Sequence, residues 1–358
     1  METKKVLYTD SFKDKKDRKA LDNANILITG GTGSFGCKFT EYILKNAKPR
    51  RVVIFSRDEV KQLEMREQFP DPPGGVMRYF IGDVRDRERL YRAFRGVDIV
   101  VHAAALKQVP TAEYNPLEVI KTNILGASNI IDAAIDCGVK KVIALSSDKA
   151  VNPVNLYGAT KLCADKLFVS AGAYAGPGDT RFAAVRYGNV LGSRGSVIPE
   201  FIKRRESGTL PITDERMTRF WITLEQAVKF VVKSVGLMKG CEVFVPKIPS
   251  MRVVDLAKTL VPECHHEMVG IRPGEKLHEV LLTEEEARRT LEFEDHFVIL
   301  PHPLKPDPET NHLREGRPVR EDFRYSSESN SQWLSGETLK RIIGEDETRL
   351  SSIQSASG

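Results

Sequence analysis

Nine residues near the start of the chain, ITGGTGSFG (28–36), restrict the fold more than any other stretch. Gly30, Gly33 and Gly36 recur at three-residue spacing, directly after the apolar run NILIT (25–29) and before a helix-like segment. Small residues in such a turn let the backbone approach a pyrophosphate. The following helix N-terminus offers free N–H groups and the positive end of its dipole. Glycines by themselves make an ordinary tight turn; the strand–turn–helix context favours dinucleotide binding, by Gly30, Thr32, Gly33, Ser34, Phe35 and Gly36.

The rest of the chain repeats that rhythm. RVVIF (51–55), MRYFIG (77–82), VDIVVHAAA (97–105), KKVIALSS (140–147) and RFAAVRYGNV (181–190) are further buried-strand candidates, with helical patterns at 86–94 and 116–137 between them. Short apolar runs alternating with longer amphipathic segments imply an α/β fold, a doubly wound parallel sheet of Rossmann type with helices on both faces. After Gly192 the rhythm breaks, and Gly, Pro and Arg become common. This predicts residues 1–22 as an extension or added helix and 23–190 as the dinucleotide-binding domain. Residues 191–300 are expected mainly as a smaller substrate-binding lobe over the carboxyl ends of the strands. Residues 301–358 read as a C-terminal segment that is loop through about 324, carries one helix at 334–343 and frays at its end.

Composition excludes several classes. With 358 residues, 41% hydrophobic and 29% charged, the chain reads as an ordinary globular protein. No apolar run reaches membrane-spanning length, and the charged first residues lack the apolar core of a signal peptide. A cytoplasmic protein is expected. The charge of +5 is spread among interleaved acids and bases, so nucleic-acid binding is disfavoured. Five scattered cysteines without a Cys-x-x-Cys predict reduced thiols. Cys264-His265-His266 lacks a second ligand cluster, so no metal is expected and a surface loop is.

The second strand bears on the cofactor. It ends in Phe55-Ser56-Arg57, and Arg57, with Ser56 and Lys61, suits a ribose phosphate. NADP is therefore favoured, with Asp58 on the ribose of NAD as the competing reading. Asp83 and Val84, after the third strand, are placed to meet the adenine; Asp83 also suits a helix N-cap. Ala103, Ala104 and Ala105 let the cofactor approach the sheet, and Val190 closes its far end.

SSDKAVNPVNLYGATK (146–161) carries the chemistry. Tyr157 and Lys161, four apart, share one helix face. Lys161 could lower the phenol pKa and hold the nicotinamide ribose, while Tyr157 takes a hydroxyl proton as an alcohol carbon is oxidised. Asp148 and Lys149 add an acid and an amine that alcohol oxidation does not need. A ketone made this way acidifies the hydrogen on the neighbouring carbon and makes a hydroxyl β to it eliminable. Lys149, if neutral, suits the base and Asp148, if protonated, the acid of such an elimination. Burial near Lys161 would lower the pKa of Lys149, but its attraction to Asp148 opposes this, so the surroundings must compensate or the proton must pass between the two.

TGGTGSFG, HAAALKQVP, SSDKAVNPVNLYGATK, RYGNVLGSRGSVIPEF and IRPGEKLHEVL occur in the order seen in extended short-chain dehydrogenase/reductases acting on nucleotide sugars. Between about Asn25 and Leu300 the chain most resembles their inverting UDP-N-acetylglucosamine 4,6-dehydratases, which open the pseudaminic acid pathway. The resemblance implies UDP-N-acetylglucosamine as substrate, a tightly bound NADP regenerated each cycle, inversion at carbon 5 through Lys149, and a homo-oligomer such as a hexamer. It also implies Lys107 between cofactor and sugar, Ser146, Ser147 and Asn189 on the sugar, and Val197 and Pro199 along the uridine. Arg272 and Glu275 would meet the diphosphate and ribose. Arg219 is divided between the diphosphate and a surface role. A nucleotide-sugar 4-epimerase, or a dehydratase that also epimerises, needs the same Tyr157 and Lys161. A non-catalytic NADP-binding protein would need neither acid nor base.

Overall fold

The computed structural model describes residues 16–72, 74–175, 180–192, 197–301 and 315–344. The first half runs β1 (Asn25–Thr29), α1 (Ser34–Asn46), β2 (Arg51–Ser56), α2 (Glu59–Gln68), β3 (Met77–Ile81), α3 (Arg87–Phe94) and β4 (Ile99–His102). It continues through α4 (Val109–Tyr114), α5 (Pro116–Ile120), α6 (Gly126–Asp136), β5 (Lys141–Leu145), α7 (Leu156–Ser170) and β6 (Arg181–Val185). The six strands pair in parallel in the order β6-β5-β4-β1-β2-β3. The chain leaves β1 toward β2 and returns to the other side at β4, so the loops after β1 and β4 diverge and open a crevice at the strands' carboxyl ends.

Both sheet faces are covered, which is why the strands are apolar nearly throughout. Side-chain alternation sorts them: Ile26, Ile28, Val52, Ile54, Ile143 and Val185 share one core with Phe39 and Ile43 of α1. Leu27, Val53, Phe55, Val100, Val142 and Phe182 pack on the other side against Leu90 of α3, Ile130 of α6 and Phe168 of α7.

The second half runs β7 (Asn189–Val190), α8 (Val197–Lys203), β8 (Thr209–Ile212), β9 (Thr218–Ile222), α9 (Leu224–Leu237), β10 (Glu242–Pro246), β11 (Ser250–Arg252), α10 (Val253–Leu260) and β12 (His265–Met268). It ends with β13 (Val280–Leu282), α11 (Glu284–Ala287), β14 (Thr290–Glu292), β15 (His296–Ile299), β16 (Arg317–Pro318) and β17 (Tyr325–Ser326). Strand β10 joins the main sheet parallel to β6, and β15, β14 and β16 extend that edge antiparallel. The remaining strands form small sheets, β11-β9-β7, β8-β12 and β13-β17; the first two border a separate core containing Trp221, Leu256 and Leu339, whereas Leu282 and Tyr325 of the third join the main core.

Several expectations need adjusting. The helix expected at 116–137 is three pieces, since Lys121–Leu125 between α5 and α6 winds as a π-helix. The run 97–105 is strand only to His102, and 181–190 divides into β6 and β7. Cys264-His265-His266 enters β12 rather than a loop. Asp17–Leu21 forms a 3-10 turn whose Leu21 is fully buried, so this part of the extension belongs to the core; residues 1–15 lie outside the described residues. Within the expected loop 302–324, residues 302–314 are likewise outside them, whereas Arg317–Pro318 is an edge strand and Phe323 packs 5.3 Å from Phe297. The late helix occupies 336–344.

Candidate active site

A cavity of about 910 Å³ opens at the carboxyl ends of β1 to β6. Gly30, Thr32, Gly33, Ser34, Phe35 and Gly36 line one end of it. Gly30 sits at φ +64, and a Cβ there would come 2.8 Å from the Ala104 backbone. A Cβ on Gly36 would come 2.3 Å from the Gly31 carbonyl, so α1 can start this close to the turn only with glycine. No side chain caps α1 and no acid occupies its first turn. Its free N–H groups therefore face the cavity with an uncompensated dipole, which fits a pyrophosphate.

Ser56, Arg57 and Lys61 line the wall beside β2. Thr32 and Ser56 share a 2.7 Å hydroxyl contact. Asp58, the competing ribose ligand, accepts from Lys61 N at 3.0 Å as the cap of α2 and pairs with Lys61 Nζ at 2.9 Å. Asp83 holds Arg85 at 2.7 Å and Arg57 at 3.5 Å. Burial opposes its ionisation, but Arg85 and Arg57 prevail and keep its carboxyl below the ordinary range. Val84, Ala103, Ala104, Ala105 and Val190 complete this wall. Lys107 also lines the cavity, and partial desolvation lowers its ammonium pKa although the residue keeps solvent access.

The catalytic candidates meet at the other end. Asn155 caps α7 by accepting from Gly158 N at 2.8 Å, and the helix presents Tyr157 and Lys161 one turn apart. Lys161 Nζ donates to Leu145 O at 2.5 Å, and burial lowers its ammonium pKa. Ser147 caps a short 3-10 turn over Asp148–Ala150. Its hydroxyl donates to Asp148 Oδ1 at 2.8 Å. Lys149 Nζ donates to the same oxygen at 3.0 Å and to Asn189 Oδ1 at 3.1 Å. Tyr157 is pushed up to about 12, mainly by burial; Lys149 eases its ionisation and Asp148 opposes it.

Burial disfavours the ammonium of Lys149, but Asp148 and Glu279 outweigh burial and raise its pKa above the ordinary lysine range. It is therefore charged in the free protein. Asp148 is fully buried, and desolvation raises its pKa despite Lys149. Glu279, 3.4 Å from Lys149 Nζ, was not singled out from the sequence. Its signal there is a lone carboxylate inside the apolar run LHEVLL.

Ser146, Ser147, Asn189 and Val197 line the cavity with Lys149, Tyr157 and Lys161, whereas Asp148 is fully buried behind that wall. Pro199 has no described side chain. Arg219 is not on the cavity wall. Its guanidinium turns inward to the carbonyls of Thr218 at 2.7 Å and Lys276 at 3.0 Å, so the surface role is also excluded. Arg272 is exposed, and neither it nor Glu275 lines the cavity. Two hydroxyls, Ser146 Oγ and Thr122 Oγ1, are buried on this wall without a partner, which fits a ligand that supplies one. Thr122 lies in the π-helical turn, where a regular helix reading hides it. Among the described residues no cluster of His, Cys, Asp and Glu could hold a metal ion, and no helix is long and apolar enough to cross a membrane.

Comparisons with known proteins agree with this geometry. Residues 26–301 match the family model described as polysaccharide biosynthesis protein. An inverting UDP-N-acetylglucosamine 4,6-dehydratase of Campylobacter jejuni subsp. jejuni serotype O:2 is 56% identical over 330 residues, 90% of this chain and 98% of its own. A UDP-glucose 4-epimerase of Rickettsia conorii is 42% identical over 282 residues, 76% of this chain and 82% of its own. The structure of Pen from Bacillus thuringiensis superposes with a TM-score of 0.83 at 38% identity, covering 91% of this chain and 99% of that one. The dTDP-glucose 4,6-dehydratase DesIV of Streptomyces venezuelae shares the fold, with a TM-score of 0.63 at 22% identity over 71% of this chain and 86% of its own. The glycine turn, the Tyr157–Lys161 helix and these relatives together show that the chain belongs to the polysaccharide biosynthesis protein family of extended short-chain dehydrogenase/reductases.

Proposed function

We propose that the protein is a UDP-N-acetylglucosamine 4,6-dehydratase that inverts carbon 5. The observation that carries this reading is the 3.0 Å contact of Asp148, buried just behind the wall, with Lys149, which lines the cavity together with Tyr157. Oxidation at carbon 4 and its reversal need Tyr157 and Lys161; only elimination needs the acid–base pair beside them. The identity to the Campylobacter dehydratase exceeds that to the Rickettsia epimerase, which supports the same choice.

Bound nicotinamide would supply the oxidant at carbon 4 and the reductant at carbon 6. Arg57 and Lys61 beside Ser56 favour NADP, with Asp58 engaged as a helix cap. Tyr157 accepts the carbon 4 hydroxyl proton. The phenol first releases its own proton to solvent, eased by Lys149 and by the Ser147 hydroxyl. Lys149 passes its proton to Asp148 across their 3.0 Å contact, which leaves a neutral amine and a protonated acid. The amine takes the carbon 5 proton. Asp148 delivers, through the Ser147 hydroxyl that lines the cavity, to the carbon 6 hydroxyl, which leaves as water. Solvent returns a proton to carbon 5 on the opposite face. The pair accepts one proton and gives one, and solvent gains one and supplies one, so every group ends as it began. Of the two routes open from the sequence, surroundings that keep Lys149 neutral and proton passage to Asp148, this scheme takes the second.

The lobe after Val190 would hold the uridine diphosphate, with Asn189 and Val197 at the join. Exposed Tyr114, Leu117 and Leu125 offer apolar surface to a second copy, which supports a homo-oligomer. A role in opening a pseudaminic acid pathway belongs to the same reading.

Incubation of the protein with NADP and UDP-N-acetylglucosamine in heavy water, followed by NMR, tests it. The expected product has a methyl at carbon 6, a ketone or hydrate at carbon 4, deuterium at carbon 5 and the L-arabino configuration. UDP-N-acetylgalactosamine alone would mean an epimerase. A D-xylo product would remove the role of Lys149 in inversion, as would normal turnover by Lys149→Ala.

A further inference from the structure

Glu279 has no task in the steps above, yet it is 3% exposed and sits against Lys149. Three cations surround it. Lys149 Nζ is 3.4 Å and Arg219 Nε 3.7 Å from Oε1, and Lys276 Nζ is 3.4 Å from Oε2. The outer two do not depend on it. Arg219 donates to the carbonyls of Thr218, Leu277 and Lys276, and Lys276 donates to Val151 O at 2.6 Å. They are fixed charges that hold Glu279 ionised: burial opposes, but the cations bring its pKa down to about 2. The backbone of Glu279 is also fixed, since its N–H donates to Ser327 Oγ at 2.9 Å and Ser327 N donates to its carbonyl at 2.8 Å. The contact left for the carboxylate to serve is Lys149.

We propose that Glu279 is a positioning residue of the elimination step: held ionised by Arg219 and Lys276, it orients the Lys149 amine and governs proton exchange in the Asp148–Lys149 pair. The inference rests on the dehydratase reading for what that pair does. When Lys149 takes the carbon 5 proton, Asp148 is in its acid form, so Glu279 is the anion beside the new ammonium. The same negative charge opposes ionisation of Asp148 and so favours its acid form. Other charges near the pair are accounted for: Arg219 opposes the ammonium of Lys149, while Tyr157 is neutral in the free protein. Asp148 and Lys149 titrate as a unit, so a change at Glu279 moves both limbs of the pH–rate profile.

The test compares wild type with Glu279→Gln and Glu279→Asp. In the glutamine variant both limbs of the dehydration profile should move to lower pH, by about one to three units. Acylation of Lys149 by an amine-directed reagent, read by mass spectrometry across pH, should shift the same way. The aspartate variant keeps the charge and should lie closer to wild type in both. A folded glutamine variant with lower activity but unmoved limbs and unmoved labelling would overturn the proposal. Should the glutamine variant not fold, labelling of the aspartate variant decides. Its carboxylate stands one methylene farther away, so a smaller shift to lower pH is expected and none would overturn. Labelling requires no turnover, so it remains readable even if the wild-type product assay rejects the dehydratase.

Discussion

The ammonium of Lys161 donates to the carbonyl of Leu145, the last residue of β5, at 2.5 Å. The helix that carries Tyr157 is thereby tied to the sheet at the cavity wall. Lys161→Met fills a similar volume without the charge or the tie. Turnover should fall at least about 100-fold, and the nicotinamide retained after gel filtration should fall with it. Full cofactor retention with full activity would show that Lys161 serves packing alone.

Asp148→Asn separates the two halves of the reaction. The amide keeps the buried shape but has no proton to give to a leaving hydroxyl. Water loss should slow by about 100- to 10,000-fold. Oxidation at carbon 4 should persist, read as the near-ultraviolet absorbance of reduced nicotinamide on the protein, while carbon 5 takes up little deuterium because Lys149 has lost the acceptor for its proton. Elimination at the wild-type rate would remove Asp148 as the acid.

Arg57 stands half-exposed at the end of β2, 3.5 Å from Asp83. On the proposed NADP reading, replacing it by alanine removes a charge-assisted contact to the ribose phosphate while leaving the Asp58 cap. The preference for NADP over NAD should drop by about ten- to a hundredfold, read as the ratio of the two dissociation constants by fluorescence or calorimetry. An unchanged ratio would assign the phosphate to other residues.

His102 is buried at the end of β4, its Nδ1 2.7 Å from Thr29 Oγ1. Burial, aided by Lys161, lowers its pKa from 6.5 to about 3. The unfolded chain therefore binds a proton there that the folded chain refuses. This stability is full above 6.5 and is lost as pH falls toward about 3, by a few kcal/mol in all. Urea midpoints measured from about pH 7 to pH 4 should fall less steeply for His102→Asn than for wild type. Parallel slopes would place the acid sensitivity elsewhere.

The sheet was legible because parallel strands buried on two faces write themselves as apolar runs: NILIT, RVVIF and KVIAL stand close to their expected bounds. HAAA misled because its small residues serve the cavity rather than the ladder, which stops at His102. The π-helical turn at Lys121–Leu125 was hidden since its pattern is that of a helix with one residue too many. Asp148, Lys149, Tyr157 and Lys161 could be singled out because they lie within one continuous stretch. Glu279 and Lys276 reach that stretch from more than a hundred residues away, across tertiary contacts that no local spacing records. Arg219 illustrates the converse. An arginine in a strand invites a phosphate, but this one spends its donors on carbonyls of its own lobe.

The clamp between Glu279 and Ser327 also bears on how the protein is made. A ribosome delivers the glycine turn and the Tyr157 helix long before the segment that pins Glu279. A nascent chain can complete its nucleotide-binding strands and occupy them while the base of the elimination step still lacks its fixed counter-charge. On the proposed role of Glu279, full elimination activity waits until residue 327 has emerged and folded back, so cofactor binding becomes available before turnover as the chain is made.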